Sequence, residues 1–312
     1  MHDIITIGSA TVDIFMKSTQ FHLQPTQEGL LLCQEYGGKM DIDQFRMSTG
    51  GAGTNTAVGF RRMGFKTAAV IEIGKDVLGQ MIWDDLQREH VDTDFIVSEK
   101  NEETAVSVIL ISGDGGRSAL THRGAASQLE ARDLPWDFLN KTRWIHLSNV
   151  GADTELLFTL FDYLRTSLVG LSWNPGHSEL ELLANGKIVV EQVVADVLLM
   201  NKEEWQILES VQKRILAHIP TVVVTNGKEG GQLFKHGDYI YDYKPMIVSV
   251  TQETGAGDAF AVGFVSAHLS HLDSATCCSW GVHNSSSVIQ KMDAKQGLLT
   301  KDQMVGRIID GK

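Results

Sequence analysis

The chain has 312 residues, 43% hydrophobic and 21% charged, ordinary proportions for a globular protein with one large α/β core or two modest ones. Its net charge of −12 argues against a nucleic-acid surface, which needs cations along the phosphates, but not against a local anion site for a nucleotide. Cys33, Cys277 and Cys278 form neither a disulfide framework nor a zinc spacing, and no secretory leader or membrane-length apolar run is found, so a cytoplasmic, reducing location without membrane contact is expected.

Residues 4–8 (Ile-Ile-Thr-Ile-Gly) read as a short buried strand ending in a glycine turn. Asp13 lies just beyond its carboxyl end, where α/β proteins place ligands, although a solvated loop aspartate is the plainer reading of that residue alone. Residues 28–47 alternate loosely and suggest a β-excursion with a turn at Gly37-Gly38. The run 48–64 is a glycine-rich entry into a helix. Gly51 there allows close backbone approach to a ligand, and Asn55 offers both a donor and an acceptor. Tight strand–helix packing would use the same glycines.

Strand-like apolar runs at 67–73, 105–111, 144–148, 168–173, 196–200 and 221–225 then alternate with helical patterns at 78–90, 153–166, 178–185 and 202–217. Repeated βα units predict an α/β fold with a mostly parallel central sheet and helices on both faces. Residues 102–123 break this rhythm as a hairpin turning at Gly113–Gly116. With 11–17 and 28–47 they make a small inserted β-lid. The expected division is a main domain of 1–10, 48–101 and 124–312, and a discontinuous lid of 11–47 and 102–123.

Asn201 and Glu204 follow a strand directly, at the N-cap and third positions of a helix; a capping box explains them, and so does a metal–phosphate site. Thr225 and Gly227 end the next strand in a glycine turn that could approach phosphate or ribose. The chain is organised around 251–264, where Thr254-Gly255-Ala256-Gly257 runs straight into an apolar helix. Unpaired N–H groups and the positive end of a helix dipole meet there and favour an anion, phosphate above all. Asp258, in the first turn, is either a helix-start acid or a base placed to take a proton from a nucleophile. A second helix, 274–290, carries Asn284, Ser285 and Ser286, small polar residues suited to bordering a nucleobase.

The ordered set Ile-Gly-x-x-x-x-Asp (7–13), Gly-Gly-x-x-x-Asn (50–55), Asn-x-x-Glu (201–204), Thr-x-Gly (225–227) and Thr-Gly-Ala-Gly-Asp (254–258) resembles the ribokinase-like carbohydrate kinase (PfkB) family over nearly the whole chain. Neither a Walker A sequence nor protein-kinase loops are present. The resemblance implies a three-layer ribokinase-like sandwich and an ATP- and Mg²⁺-dependent kinase. It implies Asp258 as base, with the backbone of Gly255, Ala256 and Gly257 as anion hole. Asp13, Gly51 and Asn55 would hold the acceptor's hydroxyls, Asn201 and Glu204 would arrange Mg²⁺ (Glu204 through water), and Thr225, Gly227 and Asn284 would line the nucleotide pocket. It further implies a small sugar or nucleoside acceptor, with a silent sugar- or nucleotide-binding sensor as the reading from another class, and a homodimer through the lid. Three departures matter. Gln252 stands where the family usually has an Asp that serves a monovalent cation, so potassium activation is not expected. Thr11 and Ala52 replace the Asn and Lys of close ribokinase relatives, which argues against ribose. Phe15, Tyr36 and Phe45 could stack on a nucleobase, whereas Arg46, Arg117 and Arg123 could meet a sugar phosphate.

Overall fold

The computed structural model describes residues 1–27, 29–98, 100–151 and 153–309. Nine strands form the central sheet, in the order Asp238–Tyr243, Gly231–Lys235, Thr221–Thr225, Val197–Asn201, Gly170–Trp173, Trp144–Leu147, Ile4–Ile7, Thr67–Glu72 and Ile96–Val97. From Thr221–Thr225 to Ile96–Val97 every pairing is parallel; Gly231–Lys235 and Asp238–Tyr243 add an antiparallel edge hairpin. The inner strands are short, apolar and buried on both faces, as a sheet covered by helices requires. On one face Leu156, Leu160 and Phe161 of Thr154–Arg165 and Leu180 of His177–Ala184 join the core. On the other, Ala256–Leu269 and Ser274–Val288 pack with Phe60 of Ala52–Arg62. The result is the expected three-layer α/β sandwich.

A separate four-stranded sheet has the order Gln44–Gly50, Thr11–Lys17, Val106–Ile111, Arg117–His122. Thr11–Lys17 leaves the central sheet just after Ile4–Ile7, and Gln44–Gly50 runs into the Ala52–Arg62 helix, so this small sheet is tied to the main body at both ends.

Three expectations are corrected. Residues 28–47 are not one excursion: Gly29–Cys33 pairs with His22–Thr26, whereas Gln44–Gly50 pairs with Thr11–Lys17, and the Gly37 turn joins two different sheets. The helical pattern at 202–217 breaks into Lys202–Ile207 and Gln212–His218, with the side chain of Gln212 donating to the Trp205 carbonyl oxygen across the break. The edge hairpin and the Lys301–Ile309 helix lay outside the expected pattern. Cys33, Cys277 and Cys278 are free thiols, as expected. Among the described residues no helix is long and apolar enough to cross a membrane.

Candidate active site

The Ala256–Leu269 helix is apolar on every side, so it is not half-exposed but clasped between neighbours. Gly263 is what permits the contact with Ser274–Val288: a Cβ there would sit 2.3 Å from the Trp280 carbonyl oxygen. The other flank rests on Ala52–Arg62, whose Asn55 reaches across and donates to Oδ2 of Asp258 at 2.8 Å. The two glycine-rich helix entries seen in the sequence therefore meet.

Gly255 caps the helix with φ of +79°, in the left-handed region that only glycine enters without cost. There, the N–H groups of Gly255, Gly257 and Asp258 have no acceptor among the described residues, and Ala259 makes the first intrahelical bond, to the Gly255 carbonyl oxygen. Ala256 is different. Its N–H donates to the Glu253 carbonyl oxygen at 3.1 Å, so Ala256 drops out of the expected donor set and the Asp258 N–H takes its place.

A cavity of about 220 Å³ opens at this helix end. It brings together Asn201, Glu204, Thr225, Gly255, Gly257 and Asp258 of the expected residues, and adds Asn174 and Phe260. Asn201, Thr225 and Asn174 stand at the carboxyl ends of adjacent parallel strands, the end where open α/β sheets hold ligands. Asn174 is anchored by donating to the Leu199 carbonyl oxygen at 2.9 Å. Its only sequence signal was its place just after a strand.

Burial pushes the Asp258 carboxyl up to about 6; the Asn55 hydrogen bond opposes that rise, and the charges of Asp13 and Glu204 add to it. Asp13 is likewise held above the ordinary carboxylate range by burial, against a 3.1 Å hydrogen bond from the Thr11 hydroxyl and the nearby Lys295. Asp13 faces the Gly50-Gly51 turn so closely that a Cβ on Gly50 would lie 2.2 Å from its Oδ2. Gly51, at φ +89°, caps the Ala52–Arg62 helix beside it.

Asn201 and Glu204 form the capping box: Asn201 accepts from the Glu204 N–H and Glu204 Oε2 from the Asn201 N–H, both at 2.8 Å. The capping reading is observed; the second Glu204 oxygen has no partner among the described residues, and the residue lines the cavity. Burial raises the Glu204 carboxyl, with the Asn201 N–H opposing. Gly227, at φ +49°, starts a short turn after Thr225 and lies outside the cavity wall.

Asn284, expected along the nucleotide pocket, lies in the core. It is fully buried, donating to the Ala259 carbonyl oxygen at 2.7 Å and accepting from the Leu299 N–H at 2.9 Å, so both ends of its amide are used inside the protein. It ties two helices to the C-terminal segment. Gln252, also buried, clamps the turn before Gly255: its carbonyl accepts from the Thr254 N–H and its amide donates to the Thr254 carbonyl oxygen at 3.0 Å.

The sequence profile of the pfkB family carbohydrate kinases matches residues 1–301. The chain belongs to that family. An uncharacterized sugar kinase of Archaeoglobus fulgidus is 28% identical over 257 residues, covering 77% of this chain and 98% of that one. Among solved structures, the nucleoside kinase of Methanocaldococcus jannaschii, an archaeal member of the ribokinase family, superposes with a TM-score of 0.81 at 22% identity, covering 99% and 98% of the two chains. Arabidopsis thaliana ribokinase, complexed with ribose and ATP, gives 0.80 at 19%, covering 98% of each. This PfkB protein is thus a sugar or nucleoside kinase with the ribokinase fold.

Because Asn284 is structural in this kinase, Asn284→Ala is expected to lower stability by about 1–3 kcal/mol, the cost of leaving buried partners unpaired, while leaving nucleotide affinity unchanged. Urea denaturation beside a nucleotide titration checks both halves.

Proposed function

We propose that this PfkB kinase moves the γ-phosphoryl group of ATP to a hydroxymethyl group of a small sugar. One observation carries the reading: the Asp258 carboxylate and the unpaired N–H groups of Gly255, Gly257 and Asp258 share one helix end, beside a cavity that also takes Glu204. The residues present fit a metal–nucleotide group. The free Glu204 oxygen suits a water-mediated Mg²⁺ contact, and among the described residues no cluster of three or more His, Cys, Asp or Glu could hold a metal unaided, which fits an ion that keeps waters and substrate phosphates. At 220 Å³ the cavity is smaller than the ~300–1,000 Å³ of pockets that enclose whole small molecules, so it suits phosphoryl groups, with the base outside it.

Bound Mg-ATP supplies the phosphoryl group and the cation that offsets its charge. The chain supplies positioning. Asp13, Gly51 and Asn55 orient the acceptor hydroxyl; Asp258 takes its proton; the three free N–H groups stabilise charge on the transferred group. Asn201, Thr225 and Gly227 serve the nucleotide side. The four-stranded sheet that carries Asp13 acts as a lid that excludes water, the competing acceptor.

Sugar is favoured over nucleoside by the lid aromatics. Phe45 and Tyr36 are exposed, and strand register puts Phe45 on the face opposite Asp13. Phe15 faces inward and is only 3% exposed, a small area for stacking on a nucleobase. The outer lid face, with Phe45, Met47 and Leu120 exposed, is suited to a second copy of the chain, and a homodimer through the lid is part of this reading.

The test is ADP release from Mg-ATP across free pentoses and hexoses, sugar derivatives, and purine and pyrimidine nucleosides. Turnover with sugars is expected. Turnover confined to nucleosides would replace the acceptor, and ATP binding with no turnover on any acceptor would support a silent sensor.

A further inference from the structure

We propose that the sugar acceptor carries an anionic group, a phosphate ester or a carboxylate, bound by Arg46 and Lys17 between the lid sheet and residues 292–295; this rests on the kinase reading above. Strand register carries the first step. Asp13 lies opposite Ser48, Phe15 opposite Arg46 and Lys17 opposite Gln44, and facing residues of an antiparallel pair share one face of the sheet. Asp13, Phe15, Lys17 and Arg46 therefore all point into the cleft. Same-face neighbours along a strand are about 6.6–6.8 Å apart, so Arg46 and Lys17 stand one and two steps from Asp13, the reach of a sugar from its reacting hydroxyl to its far end.

A second cavity, of about 190 Å³, occupies that position. Its wall includes Phe15, Lys17, Arg46 and Ile111 from the lid and Met292 from the body. The body side adjoins the anion-binding helix end: Ala294, two residues on, lies so close that a Cβ on Gly255 would come within 2.4 Å of its own. The lid cavity and the helix end thus flank the same short segment.

Charge then orients the ligand. The carboxylates of Asp13 and Asp258 stand at the reacting end of the acceptor's path, whereas the outer end holds Lys17 and Arg46. Lys17 has no acid within ion-pair distance among the described residues. Arg46 spends one N–H on Asp293 Oδ2 and keeps its other donors. Asp293 does not depend on that bond alone, since its Oδ1 accepts from the N–H groups of Lys295 at 3.0 Å and Gln296 at 2.6 Å. Arg46 is accordingly able to turn to a ligand's phosphate or carboxylate without leaving Asp293 bare. A purely structural strut between lid and body would use Arg46 but has no use for Lys17.

The experiment is steady-state ADP release at fixed Mg-ATP with three arms: glucose, fructose and ribose; gluconate and glucuronate; glucose 6-phosphate and fructose 6-phosphate. Lys17→Gln and Arg46→Gln are run beside the wild type. At least one charged arm is expected to exceed its neutral parent about 10- to 100-fold in kcat/KM, the yield of charge-assisted hydrogen bonds, and which arm responds separates carboxylate from phosphate. Each substitution is expected to raise KM for that acceptor by roughly 10-fold or more with a smaller change in kcat. The Lys17 side chain is part-exposed and has no partner among the described residues, so misfolding does not account for a loss there. Neutral sugars turned over as well as charged ones, or an unchanged KM in both variants, would overturn the proposal while the kinase reading stands. No turnover in any arm, neutral or charged, would overturn both.

Discussion

Asp258→Asn is expected to lower kcat by about 10²–10⁴-fold, the range for removing a positioned general base, and at the same time to make the protein more stable. The two effects have one cause. Burial holds the folded carboxyl at about 6 against 3.8 for a free aspartate, so the folded chain binds that proton more tightly than the unfolded chain does. The ionised carboxylate therefore costs stability, fully above the folded value and not at all below the unfolded one. At about 1.4 kcal/mol for each pH unit separating the two values, the neutral amide recovers up to ~3 kcal/mol near neutral pH and nothing below pH ~4. Asn55 keeps a partner, because the amide oxygen of the substituted side chain still accepts from its Nδ2–H. The wild-type rate obeys the same group with the opposite sense: kcat/KM should fall about tenfold per pH unit as pH drops through about 6, since a protonated Asp258 takes no proton. Kinetics and thermal melts of both proteins across pH ~4–8 check this. An active Asn variant sinks the base assignment, and a variant less stable than wild type at neutral pH sinks the burial argument.

The site was more legible than the fold's periphery, for a physical reason. Thr254 to Asp258 and Gly50 to Asn55 are places where the backbone itself must do something unusual, and glycines mark them whatever surrounds them. Asn201 and Glu204 were legible because a capping box has fixed spacing. The internal bonds of Ala256 and Asn284 were not legible, because they depend on which polar group stands opposite, the Glu253 carbonyl oxygen in one case and the Ala259 and Leu299 backbone in the other. No local spacing carries that information. The edge hairpin turns at His236 and Gly237, both at positive φ, and His-Gly is a weaker sign of such a turn than Asn-Gly or Asp-Gly. His22–Thr26 left almost no signal, with Pro25 inside it and every residue exposed. The inward or outward facing of Phe15, Phe45 and Arg46 waited on strand register, which a one-residue slip would reverse.

Gly255→Ala should cost both stability and rate, and it separates backbone geometry from side-chain chemistry. A left-handed φ of +79° strains any residue with a Cβ by roughly 1–2 kcal/mol, and here the added carbon would also meet Ala294 Cβ at 2.4 Å. Ala294 lies in a buried segment held by Asp293 and Lys295, so the turn rather than its neighbour has to move. Moving it re-aims the N–H groups of Gly255 and Gly257, and losing one such donor typically costs about 10²–10³-fold in kcat. Gly257→Ala is the matched control. No atom lies within 4 Å of its added Cβ and the position is helical, so the fold should hold or gain by up to ~1 kcal/mol, and any loss of rate must come from the methyl facing the cavity. Stopped-time ADP assays paired with urea melts distinguish the two. If Gly255→Ala loses stability but keeps the wild-type kcat, these N–H groups do not stabilise the transferred group, and the anion would have to be held elsewhere in the cavity, with Asn174 and Thr225 the remaining polar side chains on its wall besides the capping pair and Asp258.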